Sequence, residues 1–129
     1  MKTFLLILAA PFLGVTAAMA HEGMVTPLFA ADIPEMPGKE IVLISVDYEA
    51  GDETPTHRHD AHAVVYVLEG AVIMQVEGQE PQTVTTGETF SEKPDDIHLV
   101  SRNASDTDPA KFLVFLLKDK DNSIVAPSN

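Results

Sequence analysis

The chain reads as an all-β protein, one barrel or sandwich of short strands, on three observations. Apolar residues fall in short runs rich in β-branched side chains, over residues 41–48, 64–68 and 112–117, which suits pleated, half-buried strands. Gly51, Pro55, Gly70, Gly78, Gly87, Pro94 and Pro109 punctuate those runs at the spacing of a sandwich or barrel. Beyond residue 20 no segment carries a sustained helical period, so the periodicity offers no competing helix.

The chain opens with Lys2, an apolar stretch over residues 4–13 broken only by Pro11, and the run Ala18-Met19-Ala20. A positive start, an apolar middle and a small-x-small close form the pattern of a cleaved secretory signal. The apolar stretch is shorter than the roughly 20 residues a membrane-spanning helix needs. Residues 1–20 are therefore predicted to be a signal peptide, lost on export to the periplasm or the extracellular space, with His21 as the new first residue. An N-terminal histidine carries amine and imidazole together and can chelate copper when a second histidine approaches. A flexible terminus is the plainer reading of His21.

Residues 21–40 contain Pro27, Pro34 and Pro37, and proline lacks the amide that a ladder interior uses. An arm is expected there, with room for one edge strand. It either packs across a partner subunit or straps its own barrel; the first option, with the exposed edges of a small barrel, suggests a homodimer. Residues 41–118 are expected to form the barrel. Strands are predicted over 41–48 and 64–68, then at Val72, Met74 and Val76, with a hairpin turning near Gly70 and a second turn at Glu77-Gly78-Gln79. Further strands are expected over 83–86, 88–92, 97–101 and 112–117, followed by a polar tail over 119–129.

Removal of the signal leaves about 109 residues, enough for one core. There is no cysteine, so no disulfide supports the exported chain, and neither thiolate catalysis nor sulfur-bound zinc is available. The net charge of −12 repels phosphates and anionic headgroups, which argues against nucleic acid and, once the signal is gone, against a membrane surface as partner.

Chemistry concentrates in the histidines His57, His59, His62 and His98. In extended backbone the period of two puts His57 and His59 on one face. A third imidazole from a later strand, His98, would complete one side of a coordination sphere for a divalent transition metal. Alone, an H-x-H after the polar run Gly51-Asp52-Glu53-Thr54-Pro55 is equally a solvated loop.

The context decides more. Gly51-x5-His57-x-His59, ending at Glu69-Gly70, resembles the first motif of the cupin superfamily, G-x5-H-x-H-x3-E-x6-G. The run from Gly87 through Pro94 and His98 to Asn103 resembles the second, G-x5-P-x-G-x2-H-x3-N. The resemblance implies a cupin jelly-roll β-barrel with one metal ion inside, held by His57, His59 and His98. Two departures bear on the site. Ala63 stands where the first motif has its glutamate ligand, with His62 beside it on the opposite face of a regular strand. In the second motif Pro94 and Asn103 lie one position late and Asp95 replaces glycine, a change the turn tolerates because Asp enters left-handed backbone more readily than most residues.

The missing carboxylate leaves the fourth ligand open. Glu92, six residues before His98, can line the same pocket, as a ligand or as a general acid or base. His62 through a bulge, Gln75 through the register across Gly70, and the gap left by Ala63 are the other pocket candidates. By resemblance the chain is a metal-dependent enzyme such as a dioxygenase, lyase or isomerase acting on a small organic molecule, with one divalent Fe, Mn, Ni, Cu or Zn ion as cofactor. The alternatives are a non-catalytic cupin that binds metal or a small ligand, and a β-sandwich whose histidines bind nothing.

Overall fold

The computed structural model describes residues 22–125; the predicted signal peptide, His21 and residues 126–129 lie outside them. The described residues form nine strands: β1 Met24–Asp32, β2 Lys39–Tyr48, β3 Glu53–Thr54, β4 Ala61–Glu69, β5 Ala71–Val76, β6 Gln82–Thr85, β7 Thr89–Glu92, β8 His98–Asn103 and β9 Ala110–Asp119. One antiparallel sheet has the order β1-β2-β9-β4-β7 and the other β3-β8-β5-β6. Among the described residues no helix is long and apolar enough to cross a membrane.

The core is the period-two pattern made solid. Val42, Ile44, Val46 and Tyr48 point inward from β2, and Ala110, Phe112, Val114 and Leu116 from β9. Alternate residues of β4 face the same space, so Ala63 lies opposite Leu116 and Val65 opposite Val114. Val72, Met74 and Val76 of β5 cover the core from the other sheet. Lys118 ends the inward row of β9 only 2% exposed. Its charge is paired: Nζ donates to Glu40 Oε1 at 2.5 Å and to the Asp119 carbonyl at 2.8 Å.

Two expectations need correction. β4 and β5 are not a hairpin: β4 pairs with β7 and β9, β5 with β6 and β8. The turn at Gly70 therefore carries the chain from one sheet to the other, whereas the turn at 77–79 does close the β5–β6 hairpin. The N-terminal arm is also more regular than its prolines suggested, pairing with β2 over the length of β1. Pro27 falls at a register shift on this edge strand, and Pro34 and Pro37 fall in the turn before β2, where no ladder amide is missed.

Gly70 is fixed by its surroundings. Its φ is +71°, and a Cβ there would stand 2.6 Å from the Pro109 carbonyl oxygen and 3.2 Å from Ala110 Cα. Gly70→Ala should lower the stability measured by urea unfolding by at least about 2 kcal/mol, because left-handed backbone and a backbone clash add. A change within error would show that this crossover is not rigid.

Candidate metal centre

The site begins with a backbone pairing. His57 N donates to His98 O at 3.2 Å and His98 N to His57 O at 2.7 Å, an antiparallel bridge that sets the two residues opposite each other and sends both side chains to one face. His59, two residues on, joins them, while Arg58 between them turns away and pairs with Asp60 Oδ1 at 2.7 Å. Asp60 has a φ of +50°, a left-handed step that ends this segment and admits β4 with Ala61 and Ala63 inward. The three imidazoles are buried and offer ligand nitrogens within 4.8 Å of one another.

Their tautomers follow from the neighbouring carbonyls. His57 Nδ1 lies 2.8 Å from Pro55 O and His59 Nδ1 2.7 Å from Ile124 O. A carbonyl only accepts, so each Nδ1 carries the proton and each Nε2 presents a lone pair. The two Nε2 atoms face one another at 3.1 Å. Two acceptors at that distance repel unless a proton or a cation lies between them. A carbonyl holding the far nitrogen is how metal-binding histidines are oriented.

Glu92 closes the cluster. It is the last residue of β7 and the direct cross-strand partner of Ala63, so it leaves the sheet on the inner face. Its carboxylate is 2% exposed, with Oε1 2.9 Å from His98 Nδ1 and Oε2 3.5 Å from His59 Nε2. Among the described residues neither oxygen, and neither nitrogen of His98, has a hydrogen-bond partner in acceptable alignment. Burial acts to raise the Glu92 pKa, but His98 and the other imidazoles outweigh it and hold the carboxyl below its ordinary value. Burial holds His57 below its ordinary value, toward the neutral form. A carboxylate held below its ordinary value beside three buried imidazoles is a donor set that a divalent cation fits.

The remaining candidates fall elsewhere. His62 faces out from β4, exposed and opposite Leu117; no bulge turns it inward, so it is not a pocket residue. Gln75 lies on the outer face of β5 and donates to Gln79 O at 2.9 Å, which also removes it from the pocket. Ala63 is buried beside the site. Asp95 keeps ordinary backbone, since Asp60 is the non-glycine residue with positive φ among those described; the turn is held instead by Asp96 Oδ2, which accepts from Lys93 N at 2.7 Å. Asn103 ties loops together, donating to Glu49 O and Asp108 O at 3.0 and 2.7 Å.

Sequence reasoning missed two features. The carbonyl of Ile124 is a backbone group with no side-chain signal. Tyr48 Oη meets Thr54 Oγ1 at 2.5 Å and Ser101 Oγ at 2.9 Å, a hydroxyl cluster on the wall of a cavity of about 60 Å³ that the three histidines and Glu92 also line. Tyr48 and Thr54 flank Gly51 in the first motif region, but nothing in their spacing distinguished them from core and loop.

The family model described as a cupin domain matches residues 44–116. No curated protein matches the sequence. Among solved structures, an oxalate oxidase in complex with the substrate analogue glycolate superposes with a TM-score of 0.64 at 22% identity, covering 84% of this chain and 56% of that one. The DMSP lyase DddQ from Ruegeria pomeroyi DSS-3 gives 0.60 at 22% identity, over 68% of this chain and 43% of that one, so the present chain spans less than half of that enzyme. A cupin domain from Bordetella pertussis Tohama I gives 0.60 at 20% identity, over 79% and 99%. These likenesses establish the fold, a jelly-roll of the double-stranded β-helix kind. With the family match across most of the described residues, the chain belongs to the cupin superfamily.

Proposed function

We propose that this protein is a metal-dependent cupin enzyme that acts on a small organic molecule, with His57, His59, His98 and Glu92 holding one divalent transition metal. The observation that carries this reading is the convergence of three buried imidazoles and a buried, unsatisfied carboxylate beside a cavity. A bound ion would supply Lewis acidity and, depending on the metal, redox chemistry. The chain's own residues orient the ligands through Pro55 O and Ile124 O, keep water scarce with aliphatic walls, and supply one negative charge. The enzymes among the fold neighbours, a lyase and an oxidase by their names, agree with a small-molecule substrate. We further place the protein in the periplasm or outside the cell as a homodimer. The signal-like first 20 residues support export; Met24, Val25, Leu28 and Phe29 on the outermost strand β1, all more than half exposed, support a second copy. The exported protein should show an intact mass beginning at His21 and a dimer mass by light scattering; residues 1–20 retained, or a monomer, would contradict these two assignments.

Replacing His57 or His98 with Ala should abolish most binding of added divalent metal while the strand signature in circular dichroism persists. For the unaltered protein, metal at about one hundred times its Kd should add roughly 2.7 kcal/mol of stability, reversed by chelator. Because burial depresses His57 from its ordinary 6.5, that ligand is neutral above about pH 6.5. Binding should be level there and be lost as pH falls through the lowered value, where protons compete for the nitrogen. Binding that does not weaken in acid would exclude histidine ligation.

Glu92 and Ala63 are cross-strand neighbours on the same face, so either position can present a carboxylate to the ion. Glu92→Ala should weaken metal binding about tenfold or more, on the order of 1.4 kcal/mol. The exchange Ala63→Glu with Glu92→Ala should recover most of that loss. If Glu92→Ala leaves affinity unchanged, the carboxylate is not a ligand.

A further inference from the structure

Resting on the metal-site reading above, the shape and charge of the cavity say more about what enters. The cavity holds about 60 Å³, room for about four to six water-sized groups at 10–15 Å³ each. Beyond the histidine pole its walls include Ile44, Val46, Val65, Met74, Phe112 and Val114, apolar side chains that can desolvate a short hydrocarbon tail but offer no partner to a second polar group. The one polar patch on those walls is the cluster of Tyr48, Thr54 and Ser101. Its hydroxyls are hydrogen-bonded to one another and to Ser101 O, and burial raises the Tyr48 pKa, which keeps the phenol neutral.

Charge is distributed more sharply still. Among the described residues neither lysine nor arginine lines the cavity, nor the wider cleft that shares Val25, Thr54, His57 and Val125 with it. The cleft's charged side chain is Glu22. Lys118, the buried cation of the barrel, is committed to Glu40. A divalent ion held by the Glu92 carboxylate would leave one net positive charge at the histidine pole and none on the other walls formed by the described residues. One negative charge on a ligand is therefore compensated there. A second would be buried without a partner, a cost of several kcal/mol.

We propose that the cavity takes a small molecule with one oxygen-donor head, neutral or singly negative, and a short uncharged apolar tail, and that it rejects dicarboxylate dianions. The head meets the histidine pole, and the tail lies against Val65, Met74, Phe112 and Val114. Selection comes from the lack of a second cation among the described residues of the walls.

The test uses the full mature chain loaded with Co(II), with metal content measured first. Failure to take up one cobalt per chain would overturn the metal-site reading itself, before any ligand is added. The loaded protein is then titrated with pyruvate, acetoin and oxalate, three probes of equal non-hydrogen atom count that can each offer two oxygens. The readouts are the cobalt visible spectrum and saturation-transfer NMR of the probe methyl groups. Pyruvate and acetoin should shift the spectrum and show methyl contact with the protein. Oxalate, the strongest of the three toward free cobalt, should bind the site at least about tenfold more weakly than pyruvate, or remove the ion into solution without forming a ternary complex. Thr54→Lys, which puts a cation at the cavity mouth, should narrow that preference by about tenfold. A wild-type ternary complex with oxalate as tight as that with pyruvate overturns the proposal. So does the absence of any pyruvate or acetoin effect at millimolar concentration on the fully loaded protein.

Discussion

A buried carboxylate set among imidazoles is the constraint on which the interior of this barrel depends. Glu92 sits 2% exposed at its side chain, beside two imidazoles and short of aligned donors among the described residues. An unsatisfied buried polar group costs about 1–3 kcal/mol and a charged one more. Against the 5–15 kcal/mol that typically separates folded from unfolded chains, a buried carboxylate whose nearest groups are imidazoles is a substantial cost. The arrangement is economical only when a cation completes it, so folding stability and metal occupancy are expected to be linked.

The geometry that makes this cluster comes from main-chain pairing more than from the side chains themselves. The His57–His98 bridge sets two imidazoles side by side. The β4–β7 ladder sets Glu92 opposite Ala63, and the left-handed turn at Asp60 fits the histidine segment to β4 so that His62 points away. The third element is the C-terminal segment, whose Ile124 carbonyl reaches back across 65 residues of sequence to hold His59. Each contact is modest, of the order of 1 kcal/mol for a neutral hydrogen bond. Together they fix which nitrogen of each ring is available, and that is the property a metal site needs.

Much of this was legible in the sequence. Inward alternation in β2, β4 and β9 follows from the apolar pattern, and the His57/His59 pairing follows from the period of two once the segment is extended. Four things were not legible. Cross-strand register is a tertiary fact, so Glu92 could be placed near the pocket but not opposite Ala63. The partner of β4 was misjudged because a glycine turn between two apolar runs reads as a hairpin, whereas here Gly70 packs against Pro109 and Ala110 and redirects the chain into the second sheet. The turn tolerates Asp95 without the left-handed backbone expected there, because Asp96 captures the Lys93 amide. The roles of Ile124 and Tyr48 lay in a carbonyl and in contacts 53 residues apart, for which local sequence carries no signal.

The departure at Ala63 then has a physical account. Directly opposed residues in an antiparallel ladder have Cβ atoms about 4.5–5.5 Å apart and share a face, a distance that a glutamate side chain spans. A motif written along one strand therefore describes a requirement that belongs to a point in space. On the proposed reading one carboxylate stands near the three imidazoles, and β4 and β7 can each deliver it. With the longer side chain on β7, Ala63 lies between Glu92 on β7 and Leu116 on β9. Moving the carboxylate one strand over leaves the charge balance of the site unchanged and alters which wall is apolar. In this fold a missing motif residue is thus a question put to its neighbours across the ladder before it is evidence that the site has been lost.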